Sequence, residues 1–257
     1  MCQLLGMNCN VPTDICFSFR GFSARGGATD VHSDGFGIAF FEGRGCRVFL
    51  DAQSARSSRV AELVRCVPIR STNVVAHVRK ATQGAVALEN CHPFQRELWG
   101  RYWAFAHNGN LERLPAPPGR FYRPVGDTDS EAAFCILLEE LRQRFPEGRP
   151  PLADLRRALA AKTRQLSEHG PFNFLLSDGE RLFAHAATRL HYVGRRAPFG
   201  PAHLVDEDLT VDFAAHTTPH DRVAVIATAP LTDNEEWALL PQGNLLVFEG
   251  GGPVDLG

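Results

Sequence analysis

Along the 257 residues, apolar positions follow a strand-like rhythm, switch to a helical one, and return to strands. Apolar runs at 35–41 and 46–50 flank Glu42-Gly43-Arg44-Gly45, which predicts a β-hairpin with a glycine-rich turn. Short β-rich runs at 74–78 and 102–106 each lead into a polar cluster, so strand ends there present groups capable of chemistry. From 129 to 145 the period lengthens: Phe134, Leu137, Leu138 and Leu141 recur at helical spacing behind a Thr128-Asp129-Ser130 capping region. A second helix is predicted over 151–168, with Leu152, Leu155 and Leu159 on one face and Pro151 at its start. Strands return at 172–176, 182–186, 223–228 and 245–248. The Pro/Gly stretches at 115–119 and 198–201 are short enough to be internal loops, so one domain over 1–257 is expected. This order suits a layered α+β fold better than a βαβ dinucleotide fold. No glycine-rich phosphate motif follows a strand, so no nucleotide cofactor is expected.

Composition narrows the partners. Hydrophobic residues make up 44% and charged residues 22%, ordinary for a globular chain, and the formal net charge of -2 comes without a Lys/Arg run. Neither a nucleic-acid nor a membrane partner is expected. No charged segment followed by an apolar stretch opens the chain, which points to a cytoplasmic location. Seven cysteines without a C-x-x-C pair argue against a disulfide framework and a zinc ribbon. Cys2, Cys9 and Cys16 are evenly spaced, yet Pro12 breaks helical stacking, and no metal site is expected.

Four polar clusters carry the candidate chemistry. They are Cys2, His77-Val78-Arg79-Lys80-Ala81-Thr82, His107-Asn108-Gly109-Asn110 and Gly126-Asp127-Thr128-Asp129-Ser130-Glu131. A cysteine directly behind Met1 becomes the N-terminus once the methionine is removed, and one residue then carries both a thiol nucleophile and an α-amine base. Taken in order, the clusters resemble the glutaminase domain of class II (N-terminal nucleophile) glutamine amidotransferases, with its N-terminal Cys, H-x-R-x-A-T, H-N-G and T-D-[ST]-E segments. The stretches at 6–16, 32–37, 196–200 and 227–232 extend the similarity to stand-alone bacterial members of that family, over nearly the whole chain.

The resemblance implies a four-layer αββα sandwich, two antiparallel sheets between helical layers, of the N-terminal nucleophile hydrolase type. It also implies site roles: Cys2 attacks a glutamine carboxamide, and Asn108 and Gly109 hold the oxyanion. Arg79 grips the substrate α-carboxylate, Asp129 binds the α-ammonium, and Thr82 lies beside the carboxylate pocket. Structural alternatives stand beside these roles: a turn at Asn108-Gly109, a surface ion pair at Arg79 and a helix N-cap at Asp129. Lys80 and Gln83 replace a Trp and a His common in the family. His77, His92 and His107 read as packing or loop hydrogen-bonding residues, and Asp34 as a buried carboxylate supporting the site.

The implied function is hydrolysis of the glutamine side-chain amide, on a small-molecule substrate, through a Cys2 thioester; either a separate ammonia-accepting partner protein uses the ammonia or none does. Two alternatives remain at this point: hydrolysis of γ-glutamyl bonds in larger conjugates, and non-catalytic glutamine binding.

Overall fold

The computed structural model describes residues 2–255. The first half runs β1 (Gln3–Thr13), α1 (Cys16–Ala24), β2 (Phe36–Glu42), β3 (Gly45–Asp51), α2 (Arg59–Cys66), β4 (Ser71–Val78), β5 (Phe94–Leu98) and β6 (Arg101–Gly109). Two helices follow, α3 (Asp129–Arg144) and α4 (Leu152–Ser167). The remainder is β7 (Phe172–Ser177), β8 (Leu182–His185), β9 (His191–Arg196), β10 (Pro201–His203), β11 (Thr210–Asp212), β12 (Arg222–Ala227), β13 (Ala238–Leu239), β14 (Leu245–Glu249) and β15 (Gly252–Pro253).

The strands form two antiparallel sheets and a small β10-β11 ribbon. One sheet has the order β13-β9-β12-β1-β4-β2-β3, the other β15-β14-β8-β7-β6-β5. Side chains alternate across each strand. Leu5 and Met7 of β1, Val74 and Ala76 of β4, and Val225 of β12 therefore join the α1 and α2 side chains in one core. Trp103 and Phe105 of β6 and Phe172 and Phe174 of β7 pack with α3 and α4 in another. Leu4, Val75, Ala106, Leu175 and Ile226 fill the gap between the sheets. The result is the four-layer αββα sandwich.

Burial on both faces explains why these strands read as apolar runs. Both predicted helices are present: Phe134, Leu137, Leu138 and Leu141 are buried on α3, and Pro151 is the N-cap of α4. The run at 74–78 lies within β4 and ends with it at Val78. One boundary differs in a way that concerns the site: His107, Asn108 and Gly109 belong to β6 instead of following it. No described helix is long and apolar enough to cross a membrane.

Candidate active site

The site forms at one end of the gap between the sheets. Cys2 directly precedes β1, whose Gln3 and Leu4 pair with Val78 and His77 of β4. Continuing that register brings Cys2 against the chain leaving β4, and the contact is made by Lys80. The Cys2 thiol donates to the Lys80 carbonyl and its sulfur accepts from the Lys80 amide, both at 3.3 Å. Burial pushes the thiol pKa up, opposed by the Lys80 amide and Arg79, and Asp129 adds to the rise. Such a thiol is protonated at neutral pH and needs a base at the moment of attack. Both hydrogen bonds of this sulfur go to backbone, so no histidine or carboxylate is engaged as that base.

Arg79 is 3% exposed, and its guanidinium donates to the carbonyls of Ala85 (2.9 Å), Gln83 (3.0 Å) and Gly84 (3.2 Å). These neutral acceptors orient the cation without cancelling its charge, so the surface ion pair is not its role. Gly84 allows that curl: its φ is +75°, and a Cβ there would lie 2.5 Å from Asp127 Oδ1. The same loop is pinned by Ala81 N–H donating to Asp34 (2.8 Å) and by the Gln83 amide donating to Asn110 Oδ1 (2.6 Å). Asp34 supports the loop from a half-buried position, less enclosed than expected. Thr82 is exposed on the rim.

At the other wall, Asn108 is 1% exposed, its carbonyl accepts from Asn173 (2.9 Å), and its side-chain oxygen is buried without a hydrogen-bond partner. A half-turn of that amide exchanges the oxygen for the NH₂, the donor an oxyanion requires. Gly109 leaves no room for a side chain, since a Cβ would lie 1.8 Å from the Pro171 carbonyl oxygen. Because β6 pairs with β7 through Gly109↔Phe172, Asn108-Gly109 is a strand end and not a turn. Gly109→Ala is expected to lower stability by about 3 kcal/mol by prising β6 from β7, measurable by urea unfolding.

Asp129 opens α3, but the cap is Thr128, whose side chain accepts from Glu131 N–H at 3.2 Å. The Asp129 carboxylate instead accepts from Leu111 N–H (2.8 Å), which holds it against the chain leaving β6. One small cleft is lined by Cys2, Arg79, Thr82, Gly109 and Asp129 together, with His77, His92 and His107 behind them. Asn108 stands beside it through Gly109. The expected removal of Met1 falls outside the described residues.

Two supporting residues are not apparent from the sequence. Asn90 donates to Ala85 O and Asp127 Oδ1, and Asn173 holds the Asn108 carbonyl. Each acts across a long loop or between strands, where local pattern carries no signal. Glu131, which closes the fourth cluster, accepts from Val125 and Gly126 N–H within its own segment.

The three histidines form a neutral buried layer. His77 and His92 stack with centroids 4.1 Å apart. His107 Nε2 faces the Pro171 carbonyl at 3.3 Å, so it carries the proton, and Nδ1 accepts from Ser130 Oγ at 2.8 Å. Burial lowers all three pKa values, that of His77 to about 3. The unfolded chain therefore binds more protons than the folded one between pH 6.5 and about 3. Stability is expected to hold above pH 7 and to fall with acidification through that window, by about 1.4 kcal/mol per pH unit for each histidine that must charge. Urea midpoints at pH 7, 6 and 5 measure it.

Comparison with known proteins finds relatives along nearly the whole chain. A family model described as Glutamine amidotransferases class-II matches residues 1–257. Escherichia coli YafJ, provisionally named a glutamine amidotransferase, is 52% identical over 248 residues, 96% of this chain and 97% of that protein. The crystal structure of a predicted glutamine amidotransferase from Pseudomonas aeruginosa superposes with a TM-score of 0.79 at 47% identity, covering 98% of this chain and 99% of that one. Glutamine phosphoribosylpyrophosphate amidotransferase from B. subtilis shares the fold at 14% identity, with a TM-score of 0.59, covering 98% of this chain and 48% of that one.

Proposed function

The chain belongs to the class II glutamine amidotransferases, and from that premise we propose that it hydrolyses the side-chain amide of glutamine through a thioester on Cys2. The observation that carries this reading is the convergence of Cys2, Arg79, Asp129 and Gly109 on one cleft, with Asn108 beside it. In the proposed reaction Met1 is removed, and the freed α-amine of Cys2 takes the thiol proton as Sγ attacks the carboxamide carbon. Asn108 NH₂ and Gly109 N–H receive the oxyanion. The amine returns the proton to the departing ammonia, and water then cleaves the γ-glutamyl thioester to glutamate and free Cys2.

Arg79 offers the α-carboxylate a fork already aimed by three carbonyls, and Asp129 offers the α-ammonium its opposite charge. Thr82 completes the rim. The whole chain, 1–257, acts as one glutaminase-type domain in this proposal. The ammonia is either released to solvent or passed to an accepting partner protein. The free cysteines suit a reducing compartment, and we place the protein in the cytoplasm.

A second reading rests on the same geometry: both charged anchors address the amino-acid end, and neither reads the leaving amine. Hydrolysis of larger γ-glutamyl amides follows if the cleft mouth admits them. Parallel assays of ammonia release from glutamine and amine release from γ-glutamyl amides separate the readings. Turnover of glutamine alone supports the first, and turnover of conjugates alone supports the second. Glutamine binding with neither product overturns both.

A further inference from the structure

A cavity separate from the Cys2 cleft lies on the outer face of the first sheet and encloses about 390 Å³. Its floor is Met7 of β1 and Val223 of β12, residues that face away from the gap between the sheets. Phe17 of α1 and Phe213, in a short 3₁₀ turn, form an edge-to-face pair along one wall, with centroids 5.4 Å apart. Val211 of β11 and Leu209, just before that strand, add further apolar lining. This is the profile of a small-molecule site: concave, mainly apolar and aromatic, with a few polar groups.

Charge narrows the ligand. Three arginines reach the cavity, and two have carboxylate partners. Arg195 makes a bidentate pair with Glu235, both contacts at 2.7 Å, and lies 4.6 Å over the Phe213 ring, while Arg20 pairs with Glu207. Asp14, a carboxylate on the cavity wall, accepts from Cys16 N–H at the start of α1. Arg65 differs: it donates to Ser23 Oγ (3.3 Å) and the Ala55 carbonyl (3.2 Å), both neutral. A half-buried guanidinium held by neutral acceptors at the wall of an apolar cavity favours an anion there.

We propose that this cavity is a second binding site, for a small organic anion with a planar apolar body and one acidic head. The body lies among Phe17, Phe213 and Val211, and the head pairs with Arg65. The site is independent of the glutaminase reading, because its floor is the face of β1 opposite the nucleophile.

Fluorescence titration tests it with 8-anilinonaphthalene-1-sulfonate and its uncharged counterpart N-phenyl-1-naphthylamine. One saturable site per chain is expected for both probes, and it should be lost in Val211→Trp, which fills the cavity. Arg65→Gln is expected to weaken the sulfonate by about tenfold or more while leaving the uncharged probe nearly unchanged. Absence of saturable binding, or undiminished binding in Val211→Trp, overturns the site. Equal loss of both probes in Arg65→Gln overturns the role of Arg65. Val211→Trp decides the site even if Arg65→Gln fails to fold, and no arm depends on turnover of glutamine.

Discussion

Cys2→Ala is expected to lower kcat on glutamine by about 10⁴-fold or more, the scale seen when a covalent nucleophile is removed, with the melting temperature nearly unchanged. The argument lies in what Cys2 touches. Its sulfur contacts only the Lys80 backbone by hydrogen bonds, and the residue precedes β1, so shortening it removes little packing. Kinetics and thermal unfolding of the same preparation check both halves. Wild-type turnover in the variant would overturn the covalent mechanism, whereas a collapsed melting temperature would assign Cys2 to the scaffold.

Arg79→Gln is expected to reduce kcat/KM on glutamine by about 10² to 10³, chiefly through KM, the cost of losing a desolvated charged partner. Arg79 is a buried cation held by three carbonyls, so its charge is left for a ligand to meet. The discriminating measurement uses glutamine beside an analogue whose α-carboxylate is amidated. The variant should lose far more on glutamine than on the analogue. Equal losses on the two would show that Arg79 only holds the 83–85 loop in place. Lysine is not expected to rescue, since a point charge cannot reproduce the fork.

Much of this was legible in the sequence. The β2-β3 hairpin announced itself by two apolar runs around a glycine turn, and α3 by apolar residues at helical spacing. Strand β1 was not legible, because Leu4 faces the gap between the sheets while Leu5 faces the helices, so no alternation marks it, and Gly6 and Asn8 interrupt the run. Helix α1 is short and carries Gly21 within it, and β5 is the edge strand, reading Phe-Gln-Arg-Glu-Leu, with too few apolar residues to signal itself. The apolar run marks β6 only as far as Ala106, since Asn and Gly disfavour strands, but pairing with β7 carries it through Gly109. For Asp129, local pattern could not separate a cap from a free carboxylate. That choice was made by the Thr128 hydroxyl, which takes the capping bond and releases Asp129 toward Leu111 and the cleft. The ties made by Asn90 and Asn173 depend on the fold bringing distant residues together.

The central claim is that Cys2, freed of Met1, is the glutamyl-accepting nucleophile. Intact mass of the native-start protein, before and after incubation with a diazo-ketone analogue of glutamine, tests it most directly when followed by peptide mapping. Loss of methionine and one adduct, located on Cys2, is the predicted result; retained Met1 with no adduct, or an adduct on another residue, would contradict it.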